Sequence, residues 1–420
     1  MFTLPGRRSA LSVAAAVTSV AAFAGVLAGC GGSPASSASS VSPAASGPTA
    51  SASTDQSAAP GTAAPGTPQA QPASCVDRVL GKLTEAQRVG QLFLVGMKSD
   101  TAGPATAAAE QEYHFGSVLF ASNTSEGVKA AAATTSYVQS LATPAATGGV
   151  RFFVAANQEG GEVQNLKGPG FSAMPSALTQ GSWSASYLKQ EAAGWGRELR
   201  AAGVNFDLAP VMDVVPAGTA ASNAPIGRLD REFGYTAAGN GAHGAAFIQG
   251  MASAGVATSA KHFPGLGRVT GNTDFTANVV DSVTSPTDPD LATYRSAAAA
   301  GAPFMMIALA TYTKIDASRL AVFSPAVMRL LRTSIGFGGV IMSDDLGDAT
   351  AVASIPVGQR AISFVEAGGD MITSQSFSPA EKMAAAVLSR TSSDPSFRAT
   401  VDAAAKKVLA AKQAYGLLPC

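Results

Sequence analysis

From Cys75 to the end of the chain, short apolar and β-branched runs alternate with longer Ala-rich stretches that carry charges at helical spacing. No other feature restricts the fold as much, because this alternation is the signature of repeated strand–helix units. Eight runs have the length and composition of buried strands: 91–97 (QLFLVGM), 116–120 (GSVLF), 152–157 (FFVAAN), 204–210 (VNFDLAP), 257–263 (ATSAKHF), 304–310 (FMMIALA), 339–345 (GVIMSDD) and 369–374 (GDMITS). Helices are expected between them, for example over 184–203 and 237–255, each closing at a glycine that suits a helix C-terminus. Eight is the number of parallel strands that closes a barrel, so the predicted fold is α/β, a single (β/α)8 TIM-type barrel over 75–420. A doubly wound open sheet would show the same alternation.

The residues before Cys75 follow a different logic. Arg7 and Arg8 precede an apolar run from Ala10 to Ala28, the charged and apolar regions of a secretory signal. That run ends in Leu27-Ala28-Gly29-Cys30, which resembles the lipobox at which bacterial lipoproteins are cleaved and acylated. Residues 1–29 are therefore expected to be a signal peptide and Cys30 the lipidation site. Residues 30–74 are almost entirely Ser, Ala, Pro, Gly, Thr and Gln and cannot form a packed core. They are expected to tether the folded domain to the outer face of the cytoplasmic membrane. With Cys30 acylated, only Cys75 and Cys420 remain, at the two ends of the expected barrel. An oxidising compartment and the proximity of the ends of a closed barrel predict a disulfide between them. No CxxC or Cys/His cluster occurs, so no metal site is expected. Lys plus Arg and Asp plus Glu each number 28, which gives no general electrostatic attraction to nucleic acid.

In a barrel of this kind the chemistry sits at the C-terminal ends of the strands. Polar residues that end apolar runs are therefore the ones to collect: Asn157, Gln158 and Glu159 after the third run, Asp213 after the fourth, Lys261 and His262 at the end of the fifth, and Asp344 and Asp345 at the end of the seventh. Any one of them taken alone is as well explained as a turn or a helix cap. Their joint occurrence points to a site.

Several segments carry a resemblance to a known family. NQEGGEVQNL (157–166), GVNFDLAPVMDV (203–214), PIGRLDREFG (225–234), KHFPGLGRVTGNTD (261–274) and GFGGVIMSDDL (336–346) resemble, in order, the motif series of glycoside hydrolase family 3 and above all its bacterial β-N-acetylglucosaminidases. The resemblance covers nearly all of 75–420. It implies a single barrel domain, the chain ending before a second, sandwich domain would fit, and a carbohydrate as partner. Asp344 matches the family's nucleophile, with Asp345 as the alternative because adjacent strand residues point to opposite sides. Lys261 and His262 match positions that hydrogen-bond sugar hydroxyls, and Arg231 matches a substrate-binding arginine. Asn157 stands where the family usually has an aspartate that grips the distal hydroxyls; it keeps an acceptor and loses the charge. Glu162 replaces a position that is often basic or amide-bearing.

The acid/base group departs from the family's pattern. The family's acetylglucosaminidases carry an Asp-x-His dyad on a flexible loop, and the equivalent stretch here reads Asn272-Thr273-Asp274, in a chain whose histidines are His114, His243 and His262. Asp274 falls at the dyad histidine's position and is the expected acid/base, carried by a loop whose Gly265, Gly267 and Gly271 give it freedom to move. The resemblance thus implies a retaining β-N-acetylglucosaminidase that removes terminal β-linked GlcNAc from peptidoglycan fragments, and two carboxylates need no cofactor for this. Alternatives left open at this level are a β-glucosidase or β-xylosidase of the same family, a catalytically inactive sugar-binding lipoprotein, and a two-lobed solute-binding protein.

Overall fold

The computed structural model describes residues 74–97 and 104–420. The expected signal peptide 1–29, the lipidation site Cys30 and nearly all of the tether lie outside the described residues. Eight strands form the centre: β1 (Phe93–Met97), β2 (Ser117–Phe120), β3 (Phe153–Ala156), β4 (Phe206–Asp207), β5 (Ala257–Phe263), β6 (Phe304–Ile307), β7 (Val340–Asp345) and β8 (Met371–Ser374). They lie side by side in chain order, all parallel. β8 returns to β1, with Phe93 opposite Ile372 and Val95 opposite Ser374, so the sheet closes and the open-sheet alternative falls away.

Closure buries both faces of every strand, which is why the runs read as continuous apolar segments. Along β7, Val340 and Met342 face the barrel interior while Ile341 joins the cluster outside it. The interior receives Leu94, Leu119, Phe153, Phe206, Ala257, Phe304, Val340 and Met371, at least one side chain from each strand. Phe206 and Phe304 lie 4.3 Å apart between ring centroids, and Phe153 meets Phe304 edge-on at 5.3 Å. Leu119, Leu208 and Met306 form the top of this filling and the floor of the cavity described below. β4 is shorter than the run 204–210: its regular pairing covers Phe206 and Asp207, and past them single main-chain bonds and an isolated bridge from Val211 to Lys261 continue the contact with β5.

Helices cover the outside. Among them are α1 (Cys75–Lys82), α2 (Ala185–Ala201), α3 (Ala237–Ser253) and α4 (Pro395–Ala414). Ser184 caps α2 by accepting from the Tyr187 N–H, and Leu188, Ala192, Trp195 and Leu199 make its buried stripe. α3 packs against α2 at Gly250, where a Cβ would come within 2.5 Å of the Lys189 carbonyl oxygen and 2.6 Å of the Ala192 Cβ. Cys75, the first residue of α1, is disulfide-bonded to Cys420, with the Cα atoms 6.1 Å apart.

Candidate active site

A cavity of about 250 Å³ opens at the C-terminal ends of the strands. It gathers Asn157 beyond β3, Lys261 and His262 of β5, Asp344 and Asp345 of β7, Thr373 and Gln375 at β8, and Arg231 and Asp274 from the connecting loops. Every substrate-binding and catalytic candidate expected from the sequence therefore lines one space. Glu162 does not: it is exposed, at the turn of a short hairpin formed by Gln158–Gly160 and Val163–Gln164.

Glu159 is the hub beneath this space. Its buried carboxylate takes a two-pronged contact from Arg231, Nε to Oε2 and Nη2 to Oε1, both at 2.8 Å, and Lys261 Nζ lies 2.6 Å from Oε1. Lys261 Nζ also donates to Asn157 Oδ1 at 2.8 Å, and Arg231 Nη1 to the Pro225 carbonyl at 2.7 Å. Both cations are thus fixed in place with N–H groups left for a ligand. Burial alone would raise the pKa of Glu159, but the charges and hydrogen bonds of Arg231 and Lys261 prevail and hold it at about 2.

A carboxylate held that low gains stability from folding. The contribution is present above the unfolded pKa and is lost as pH falls through the folded value of about 2. The interval between an ordinary glutamate and about 2 corresponds to about 3 kcal/mol. Glu159→Gln should therefore lower stability by about 3 kcal/mol at pH 7, with the gap shrinking to about half at pH 3. Urea titrations of both proteins at the two pH values test this, and a gap independent of pH would show that the ion cluster is not its source.

His262 is oriented from below. Asp213 is fully buried; its Oδ2 lies 2.8 Å from His262 Nδ1, and its Oδ1 accepts from the N–H groups of His262 and Leu266 and from the Tyr294 hydroxyl. Burial works against ionisation, but His262 and these donors keep the carboxyl below its usual range. An ionised carboxylate only accepts, so Nδ1 carries the hydrogen and Nε2 is the nitrogen left for a ligand.

Asp344 and Asp345 separate by environment. Asp345 turns back into the protein, where it accepts from the N–H groups of Gly347 at 2.8 Å, Gln375 at 3.0 Å and Asp348 at 3.1 Å. Burial pushes its pKa up to about 6 against these donors. Asp344 accepts only the Asp345 N–H on Oδ1, at 2.8 Å, which leaves Oδ2 to the cavity. Asp274 brings a further carboxyl to the cavity. Burial raises its pKa first, and the negative charge of Asp344 raises it further, against the opposing charges of His262, Arg231 and Lys261.

The loop that carries Asp274 is docked. The Asp274 and Thr273 carbonyls accept from the N–H groups of Thr350 and Ala351 at 3.0 and 3.1 Å. Asn223 Nδ2 holds the carbonyls of Leu266 and Val269 at 2.8 and 2.7 Å. Of the three loop glycines only Gly265 has a positive φ, 131°. Gly267 is required for close approach instead, since a Cβ there would collide with the Val214 carbonyl. The other histidines are engaged elsewhere: His243 bonds the Gly239 and Trp183 carbonyls and His114 the Ala146 carbonyl, all within 2.8 Å.

Two further groups were not singled out from the sequence. Gln375, just past β8, lines the cavity beside Asp345. Asp207 ends β4 beneath Glu159, fully buried, accepting the Gln158 N–H on Oδ1 while Oδ2 has no partner. Burial pushes its pKa well above that of an ordinary aspartate, against the Gln158 N–H and the charge of Lys261. Its position inside an apolar run was the available signal.

Comparison with known proteins bears on the family and the fold. Residues 84–411 match the glycosyl hydrolase family 3 N terminal domain. The beta-hexosaminidase LpqI of Mycobacterium tuberculosis is 30% identical over 313 residues, 71% of this chain and 76% of that protein. The crystal structure of a beta-N-acetylhexosaminidase from Beutenbergia cavernae superposes with a TM-score of 0.77 at 46% identity, covering 79% of this chain and 99% of that one. A family 3 beta-N-acetylglucosaminidase from a Paenibacillus species gives a TM-score of 0.70 at 27% identity, over 80% and 63% of the two chains. With a closed barrel, carboxyl groups gathered over one cavity and a family match along most of its length, this chain belongs to glycoside hydrolase family 3.

Proposed function

We propose that the protein is a retaining β-N-acetylglucosaminidase acting on terminal β-linked GlcNAc. The observation that carries this reading is the cavity in which the carboxyl of Asp274 and the free Oδ2 of Asp344 meet the fixed cations Arg231 and Lys261. Asp344 attacks the anomeric carbon while Asp274, protonated, gives its proton to the leaving oxygen; water activated by Asp274 then hydrolyses the glycosyl-enzyme. Lys261, His262 Nε2 and Asn157 hold the sugar hydroxyls, and Arg231 and its neighbours supply charge-assisted donors suited to an amide carbonyl. The named activities of the relatives from Mycobacterium tuberculosis and Beutenbergia cavernae support the same substrate class.

A site that hydrogen-bonds the acetamido group leaves its own polar atoms unpaired when plain glucose binds. Aryl β-N-acetylglucosaminide should be cleaved with kcat/KM roughly 10³-fold above aryl β-glucoside. Equal or reversed preference would make the protein a β-glucosidase of the same family. Export on a lipid at Cys30 belongs to the same proposal and makes wall-derived fragments the natural glycan. The same assay tests location: activity should sit in the membrane fraction of producing cells and leave it with Cys30→Ser.

A further inference from the structure

We propose that Phe275 is the platform of an aglycone subsite, against which the leaving-group sugar stacks as it lies across the cavity mouth. The subsite deepens the reading above and rests on Asp274 being the acid. Phe275 is 80% exposed, yet it lines the same cavity as Asp344 and Asp274. Every other large hydrophobic side chain at the cavity is at least partly covered.

The backbone that carries the ring is fixed in place. The Phe275 N–H donates to the Asn272 carbonyl at 3.0 Å, and the two preceding carbonyls are bonded to the Thr350 and Ala351 N–H groups. The turn is therefore tied to the segment that follows Asp344 on β7. An acid that protonates the leaving oxygen lies on the aglycone's side of the scissile bond, so the departing group must pass the residue beside that acid. A pyranose carries a face of C–H bonds that packs on an aromatic ring by dispersion and loss of hydration. The adjoining exposed residues Thr276, Ala277 and Asn278 offer hydroxyl and amide groups and no charge. That surface suits a neutral sugar ring better than an ionic group.

The test compares two aglycones on one glycon: the GlcNAc disaccharide chitobiose, whose second ring reaches Phe275, and the trifluoroethyl β-glycoside of GlcNAc, whose aglycone does not. Phe275→Ala should lower kcat/KM about tenfold for the disaccharide and leave the trifluoroethyl glycoside within about twofold, while Phe275→Trp keeps both. An equal fall with both aglycones would make Phe275 a support for Asp274, and no change with either would also overturn the subsite. The glucose pair, cellobiose and trifluoroethyl β-glucoside, is run alongside. Cleavage of that pair alone by the wild type would remove the amino-sugar reading, and the platform would then be judged on the cellobiose ratio. Cleavage of neither pair would overturn both.

Discussion

Asp344→Asn should lower kcat by roughly 10³-fold or more, on the order of 4 kcal/mol of barrier. The substitution keeps the side chain's shape. Its amide oxygen can still accept the Asp345 N–H that now bonds Oδ1 at 2.8 Å, so the amide nitrogen takes the place of Oδ2 over the cavity. Fold and ground-state binding should therefore survive while the attacking oxygen is gone. Rate loss by itself does not separate Asp344 from its neighbour, so the second measurement is chemical. A fluorinated mechanism-based GlcNAc analogue should trap the glycosyl-enzyme, and mass spectrometry should place the label on Asp344. Asp345 is poorly arranged to receive it, since three backbone N–H groups already occupy its two oxygens. A label on Asp345 or elsewhere would end the assignment.

The barrel was legible because its strands are buried on both faces and so stand out as apolar runs, as 257–263 does, where expected and observed limits coincide. The run 204–210 was read too long because apolar composition marks burial, which continues beyond the two residues that pair regularly. Site residues at strand ends were legible for the same reason: Lys261, His262 and Asp344 are polar interruptions of apolar segments. What stayed hidden is the wiring between them. Glu159 could be collected as a strand-end residue, but its partner Arg231 lies 72 residues along the chain, and Asp213 orients a histidine 49 residues away. Those distances are bridged only once the barrel brings neighbouring strand ends together. The loop after β5 shows the same limit. Its glycines suggested mobility, whereas Gly267 is needed for the loop to press against the Val214 carbonyl. A glycine in sequence does not reveal which of its two uses, unusual φ or close approach, is in play.

Asp274→Ala should slow substrates with poor leaving groups, such as chitobiose, by roughly 10³-fold while barely changing kcat/KM for 4-nitrophenyl GlcNAc. Nitrophenolate leaves without a proton, so only the second step then feels the missing base, and kcat with that substrate should fall as the glycosyl-enzyme accumulates. Azide needs no base and should restore turnover, with a β-glycosyl azide as product. The pH profile supplies an independent sign. An acid catalyst must be protonated, and burial together with the Asp344 charge raises the pKa of Asp274 from its ordinary value. Wild-type kcat/KM for chitobiose should therefore hold below that raised value and decline above it, and the decline should vanish in the variant. Attack by Asp344 consumes its charge, which removes one of the causes holding Asp274 protonated and lets it ionise in time to activate water. Neither His114 nor His243 is placed to take over, since both are bonded to carbonyls away from the cavity. Equal loss on both substrates with no azide product would make Asp274 a structural residue of the docked loop, and the acid would have to be sought among the other side chains that line the cavity.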